Sequence, residues 1–203
     1  MNSQTHWETI HKENSPNAVS WYRPHLETSL TLIEQVAVPS ESIIDIGGGQ
    51  STLVDDLLAR GYKNLTVLDI SRAAIDANRK RLAEASKHIH WLVADITQTE
   101  LAPAAYDLWH DRAVFHFLTT PNDRGTYIRQ LTHAIKPGGH VILSTFGPDG
   151  PTKCSGLDIV RYDADSLQRE FGEHFRLRGS SLELHHTPTG ATQQFLCCHF
   201  TVD

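Results

Sequence analysis

The chain has 203 residues, with 18 Lys and Arg, 24 Asp and Glu and 13 His, and its formal charge is −6. That length suits one domain, and 39% apolar with 21% charged residues is typical of a globular protein. The acidic balance does not favour nucleic-acid binding, which needs a basic surface. Since no apolar run is long enough for a membrane span and the first residues are polar, we expect a cytoplasmic protein without membrane contacts.

The cysteines do not indicate a disulfide framework, because there are three of them and two are adjacent. Cys197 and Cys198 alternate along a predicted strand, so we expect them to pack on its two faces. Cys154 follows Lys153, and its thiol could contact a ligand with a soft atom, such as a thiol. The simpler interpretation is that Cys154 is a small residue of a loop. No Cys-x-x-Cys or His-Glu-x-x-His spacing occurs, so we expect no metal site.

The predicted elements begin after residues 1–23, which are polar with scattered aromatic residues and are interpreted as an N-terminal arm. The remainder, residues 24–203, is interpreted as a single domain that starts with a helix between Pro24 and Pro39. Short apolar runs then alternate with helical patterns, which indicates βαβ units and a parallel sheet. The strands are predicted at residues 42–46, 65–68, 90–93, 106–111 and 140–146, and the intervening or following helices at 51–60, 71–86, 120–135 and 163–171.

Two further strands are predicted at residues 175–184 and 192–202. Only a short turn separates them, so they must pair as an antiparallel hairpin, because a parallel return needs a longer crossover.

Ser71 and Thr120 are the expected N-caps of two of the helices.

The strongest chemical signal is the segment Ile43-Ile44-Asp45-Ile46-Gly47-Gly48-Gly49. A glycine-rich turn between a strand and a helix lets the backbone approach a ligand closely. Asp69 ends the second strand, and a carboxylate there can hold two ribose hydroxyls. Thr52 stands where a dinucleotide fingerprint has a third small residue. Asp45 disfavours a pyrophosphate at the turn and favours a cationic cofactor such as S-adenosylmethionine.

The motifs, taken in order, resemble those of class I S-adenosylmethionine-dependent methyltransferases over about residues 24–202. The matching segments are Asp45-Ile46-Gly47-Gly48-Gly49, Val67-Leu68-Asp69, Ala94-Asp95-Ile96, Tyr106-Asp107-Leu108-Trp109 and Lys136-Pro137-Gly138-Gly139. The resemblance implies an α/β fold with a seven-stranded, mostly parallel, doubly wound sheet. The implied strand order is 3-2-1-4-5-7-6, with strand 7 antiparallel.

S-adenosylmethionine is the expected cofactor, and the resemblance implies that the N-terminal arm covers it. We expect Asp45 beside its amino-acid part, Asp69 on the ribose and Asp95 near the adenine amino group. The residues expected to bind the cofactor are Trp21, Tyr22, Asp45, Gly47, Gly49, Asp69, Ile70, Asp95, Ile96 and His110.

The expected catalytic residues are His110, Asp111 and Arg112, because ligands bind at the carboxyl ends of the strands and these residues end the fourth. His110 could accept a proton or contact the cofactor. Asp111 could orient a cationic acceptor or pair with Arg112, and Arg112 could clamp a carboxylate.

Most of the histidines are predicted to lie away from this edge, including those of the arm. The exceptions besides His110 are His185 and His186, with His116 just behind. We therefore expect a few imidazoles around an acceptor pocket, one of which could take a proton near neutral pH.

Two further resemblances bear on the acceptor. The segment from His110 to Phe115 is similar to the Trp-Asp-Arg-Gly stretch of thiopurine S-methyltransferase relatives. Ser20-Trp21-Tyr22 with His25-Leu26-Glu27 resembles methyltransferase-like proteins that include lysine methyltransferases, which have a Lys-Gly pair in place of Asp111-Arg112. The Asn/Asp-Pro-Pro-Tyr/Phe motif of nucleobase amino-methyltransferases does not occur, so nucleic-acid amino groups are not expected acceptors.

We therefore expect a methyltransferase that acts on a small molecule. The alternatives are a protein lysine methyltransferase, a nucleotide-dependent oxidoreductase with a similar first motif, and a catalytically silent cofactor binder.

Overall fold

The computed structural model describes residues 3–203. Seven of its strands are β1 (Ser42–Ile46), β2 (Asn64–Asp69), β3 (Ile89–Val93), β4 (Tyr106–Arg112), β5 (Ile135–Phe146), β8 (Phe175–His186) and β9 (Thr192–Val202). They form one sheet in the order β3-β2-β1-β4-β5-β9-β8. Strands β1 to β5 run parallel, and β9 is antiparallel to both β5 and β8. This confirms the predicted α/β fold, strand order and terminal hairpin.

The helices are α1 (Ser3–Glu13), α2 (Glu27–Val36), α3 (Leu53–Ala59), α4 (Arg72–Leu82), α5 (Pro121–Ala134) and α6 (Ala164–Phe171). The predicted caps are confirmed, since the hydroxyls of Ser71 and Thr120 accept hydrogen bonds from the first turns of α4 and α5. Side chains of α2 and α3 bury one face of the sheet, and those of α5 and α6 bury the other. Cys197 and Cys198 lie in these two separate cores, as their alternation predicted.

Three local features differ from the sequence-based expectation. The predicted arm contains the helix α1, on which Trp7 and His11 lie one turn apart and are half-buried. Strand β5 starts at Ile135 rather than at His140, because Ile135 already pairs with Tyr106 before the register shifts. A small two-stranded ribbon, β6 (Lys153–Cys154) and β7 (Leu157–Asp158), occupies the loop after β5.

The end of β4 is fixed by Asp111, whose carboxylate is fully buried. Its oxygens accept hydrogen bonds from the backbone N–H of Val114 at 2.9 Å, from that of Phe115 at 3.1 Å and from the Tyr127 hydroxyl at 2.6 Å. The Trp109 indole in turn donates to the Tyr127 oxygen at 2.8 Å. Burial raises the pKa of Asp111 to about 6. This network ties the chain that leaves β4 to α5 and so fixes one wall of the site described below.

We expect Asp111→Ala to lower the free energy of unfolding by about 3 kcal/mol, because three buried donors lose their acceptor. Urea unfolding of both proteins measures this difference. The control is Asp76→Ala, at an exposed position of α4, which should change stability by less than about 0.5 kcal/mol. Equal stability of the two variants would mean that the network contributes nothing to the fold.

Candidate active site

A cavity of about 380 Å³ lies at the carboxyl ends of the parallel strands. An open α/β sheet binds its ligands at this edge. The helix α1, the glycine-rich turn after β1 and the ends of β2 and β4 all contribute to its lining. Nearly every residue expected to bind the cofactor lines it: Trp21, Tyr22, Asp45, Gly47, Asp69, Ile70, Asp95, Ile96 and His110. The exception, Gly49, lies behind the wall.

The glycine-rich turn passes close to two buried carboxylates. A Cβ atom at Gly48 would overlap Oδ2 of Asp45, and one at Gly49 would overlap Oδ2 of Asp69. The N–H of Gly49 also donates to Asp69 at 2.9 Å. Since a side chain at either position would collide with a carboxylate, both glycines are required for the turn to hold its shape.

Asp45 and His110 form a buried pair across β1 and β4. The Nδ1 of His110 donates to Oδ1 of Asp45 at 2.6 Å, and its Nε2 is hydrogen-bonded to the Ser29 hydroxyl at 2.9 Å. The second oxygen of Asp45, Oδ2, is buried and has no hydrogen-bond partner. Asp45 therefore has one unsatisfied anionic acceptor beside the cavity. His110 holds Asp45 in place and has no free ring nitrogen for the proton-accepting role expected of it.

Asp69 and Asp95 lie at the ends of the next two strands along the cavity. Asp69 accepts backbone hydrogen bonds from Gly49 and Ser71, and burial raises its pKa. Asp95 accepts from the backbone N–H and the hydroxyl of Thr97 and thereby closes the turn after β3. A carboxylate oxygen has two lone pairs, so both side chains retain acceptor capacity for a ligand.

Helix α1 covers part of the cavity and is attached to α4 by Glu8. The Glu8 carboxylate accepts hydrogen bonds from the Ser71 hydroxyl at 2.8 Å and from the backbone N–H of Ala73 at 3.1 Å. Partial desolvation raises the pKa of Glu8, but these hydrogen bonds outweigh that effect and lower the pKa to about 2. Trp7 packs edge-on against Phe117 and Trp21, with ring centroids 5.0 and 5.8 Å apart.

The end of the cavity away from the glycine-rich turn contains Arg112 among aromatic side chains. Its guanidinium carbon lies 4.5 Å from the ring centroid of Phe195, and Nη1 donates to the carbonyl of Trp21 at 3.1 Å. Burial lowers the pKa of Arg112 to about 10, so the side chain remains cationic at neutral pH. Cys154 lines the same end, and burial raises the pKa of its thiol.

Asp111 does not line the cavity. Strand alternation turns it to the other side of the sheet, so it neither pairs with Arg112 nor faces an acceptor. Of the expected histidines, His110 alone lines the cavity. His185 is buried against the arm, with Nε2 donating to the Ser20 carbonyl at 2.7 Å, and His116 is buried behind the wall.

His11, which is not among the expected site residues, lines the cavity together with Trp7. The four-residue spacing of these two residues is the helical signal that could have identified them. Within residues 3–203, no three potential metal-binding side chains cluster together. No helix within those residues is long and apolar enough to cross a membrane.

Comparison with known proteins agrees with this geometry. Residues 43–139 match the model of a family described as methyltransferase domain. The eEF1A lysine and N-terminal methyltransferase of Bos taurus is 26% identical over 191 residues, which cover 94% of this chain but 26% of that protein. The chain thus spans about a quarter of the length of that relative.

Two solved structures share the whole fold. A SAM-dependent methyltransferase from Anabaena variabilis ATCC 29413 superposes with a TM-score of 0.77 at 15% identity, covering 100% of this chain and 96% of the other. The N-methyltransferase NodS of Bradyrhizobium japonicum WM9, in complex with S-adenosyl-L-homocysteine, gives 0.72 at 18% identity, with 99% coverage of both chains.

The fold and the match of residues 43–139 to a methyltransferase domain agree with the class I S-adenosylmethionine-dependent methyltransferases that the motifs resemble. The NodS structure holds S-adenosyl-L-homocysteine, the product that S-adenosylmethionine leaves after methyl transfer. The residues present fit S-adenosylmethionine, because Oδ2 of Asp45 has no hydrogen-bond partner and suits an ammonium group, and Gly48 has no side chain to occupy the space beside it.

We expect Asp45→Asn to weaken the binding of S-adenosylhomocysteine by 10- to 100-fold, about 1.5–3 kcal/mol, because a charge-assisted hydrogen bond is lost. Binding of 5′-methylthioadenosine, which lacks the amino-acid part, should be unchanged. Isothermal titration calorimetry measures both ligands, with Asp76→Asn as the surface control. An equal loss for both ligands would place Asp45 away from the amino-acid part.

Proposed function

We propose that this chain transfers the methyl group of S-adenosylmethionine to a small-molecule acceptor. The observation that carries the proposal is the aromatic end of the cavity, beyond Asp45 and partly covered by α1. Trp7 and Trp21 contact each other there, and Phe146 and Phe195 pack with ring centroids 4.8 Å apart. Such a lining suits a compact, largely apolar ligand.

When bound, S-adenosylmethionine supplies an electrophilic methyl group on a positively charged sulfur, which a lone pair of the acceptor attacks. The residues of this chain contribute position and exclusion of water. Asp45 would hold the amino-acid part of the cofactor and Asp69 its ribose, and Trp7 and Trp21 would shield the reacting centre. A base is required only for an acceptor that arrives protonated, and His110 is already bonded at both nitrogens.

A protein lysine is the second candidate acceptor, since the bovine relative is named for that activity. A lysine substrate that still carries its proton is cationic, and Arg112 would repel it at the aromatic end. An oxidoreductase is disfavoured because Asp45 would repel a pyrophosphate. Because a cationic lysine would be repelled, the positive charge of Arg112 favours an uncharged or anionic small molecule as the methyl acceptor.

The test is to incubate the chain with methyl-labelled S-adenosylmethionine and two separate pools, a low-molecular-weight panel of thiols, amines and carboxylates and a total protein fraction. We expect label in the low-molecular-weight pool together with released S-adenosylhomocysteine, and loss of both in Asp45→Asn. Label in protein alone would replace this proposal with the lysine alternative.

We further propose that the arm of residues 1–23 covers the cofactor, ahead of a catalytic domain over residues 24–203. The position of α1 supports this, because Trp7 and His11 line the cavity while Glu8 attaches the helix to α4. The low pKa of Glu8 keeps this attachment charged at neutral pH. The stabilisation from Glu8 should be lost only as the pH falls from about 4.5 towards 2.

We expect Glu8→Ala to increase the dissociation rate of S-adenosylhomocysteine about fivefold, because two hydrogen bonds that hold α1 closed are removed. Stopped-flow measurement of tryptophan fluorescence can follow this release, since Trp7 and Trp21 line the cavity. Glu13→Ala, at an exposed position at the end of α1, is the matched control. Identical rates for the two variants would show that the helix does not retain the cofactor.

A further inference from the structure

Arg112 is a half-buried cation without a counter-ion. Its Nη2 is sealed from solvent and has no hydrogen-bond partner, and Nη1 reaches only the backbone carbonyl of Trp21. No carboxylate of residues 3–203 forms an ion pair with it. The side chain nevertheless lines the cavity and remains charged at neutral pH.

The neighbouring charges are already matched to one another. Arg23 pairs with Glu183 at 2.9 Å, and its Nε donates to His185. The second carboxylate oxygen of Glu183 accepts a hydrogen bond from the Thr28 hydroxyl. Glu183 therefore acts on Arg112 only from beyond ion-pair distance, and the positive charge at this end of the cavity belongs to Arg112.

A buried charge without a partner is costly, so a ligand that brings the opposite charge would be strongly favoured at this position. A guanidinium group binds a carboxylate through two parallel hydrogen bonds, and the donors on Nη2 of Arg112 are not used by the protein. The rings of Phe146 and Phe195 surround the rest of the space.

Resting on the proposed function, we infer that Arg112 binds a carboxylate of the methyl acceptor, and that the acceptor is a small apolar or aromatic acid. The cofactor also carries a carboxylate and is the other possible source of the anion. Position favours the acceptor, because Arg112 lies over Phe195 of β9, on the side of β4 away from Asp45 and the glycine-rich turn.

The test is calorimetric titration of the chain, saturated with S-adenosylhomocysteine, with a panel of monocarboxylic acids from acetate to phenylacetate and naphthoate. Each acid is compared with its primary amide, which has the same shape without the charge. We expect at least one acid to bind ten times more tightly than its amide. Arg112→Met should abolish this preference, whereas Arg169→Met, at an exposed position on α6, should keep it.

The possible outcomes separate the sources of the anion. If no acid is preferred over its amide by the wild-type chain, the inference is overturned, and this result does not depend on any variant folding. A tenfold loss of S-adenosylhomocysteine affinity in Arg112→Met also overturns it, by assigning Arg112 to the cofactor carboxylate. Arg112→Lys keeps the charge and should retain part of the preference. Failure of the wild-type chain to bind S-adenosylhomocysteine would instead contradict the proposed function.

Discussion

The site depends on one carboxylate that is buried at the end of β1 and left half satisfied. One oxygen of Asp45 is held by the His110 imidazole, and the other has no hydrogen-bond partner and packs against Gly48, which has no side chain. Ser29 completes the arrangement from α2, so three separate elements fix the position of one anionic atom. An isolated buried carboxylate is costly, and a bound cation offsets that cost.

Negative and positive charges therefore lie at different ends of the cavity. The carboxylates Asp45, Asp69 and Asp95 lie along the ends of three adjacent strands and suit the cationic and hydroxyl-bearing parts of a nucleoside cofactor. Arg112, at the aromatic end, has the opposite sign. A methyl acceptor bound to Arg112 and a cofactor bound to Asp45 would occupy opposite ends of the same cavity, and their reacting groups would meet between these ends.

The fold and the cofactor end of the site could be predicted because both follow from local patterns. Alternating apolar runs and helical periods define the parallel sheet, and the rule that ligands bind at its carboxyl edge selects Asp45, Asp69 and Asp95. Each of these residues lies at or within two residues of the end of a strand, so position in the sequence already indicates position in the fold.

The acceptor end could not be predicted in the same way, because it is formed by tertiary contacts. Trp7 and His11 reach the cavity only because α1 packs on α4, and the sequence gives no direct sign of that contact. Asp111 was assigned to catalysis by its motif, yet strand alternation turns it to a buried network with Tyr127. His185 lies at the expected edge, but its nitrogens are taken by the arm.

The central claim is that Asp45 and its surroundings bind S-adenosylmethionine rather than a dinucleotide. The most direct measurement is calorimetric titration of the unmodified chain with S-adenosylhomocysteine and, separately, with NAD. The account predicts one binding site for S-adenosylhomocysteine and no detectable binding of NAD. Binding of NAD without binding of S-adenosylhomocysteine would contradict it.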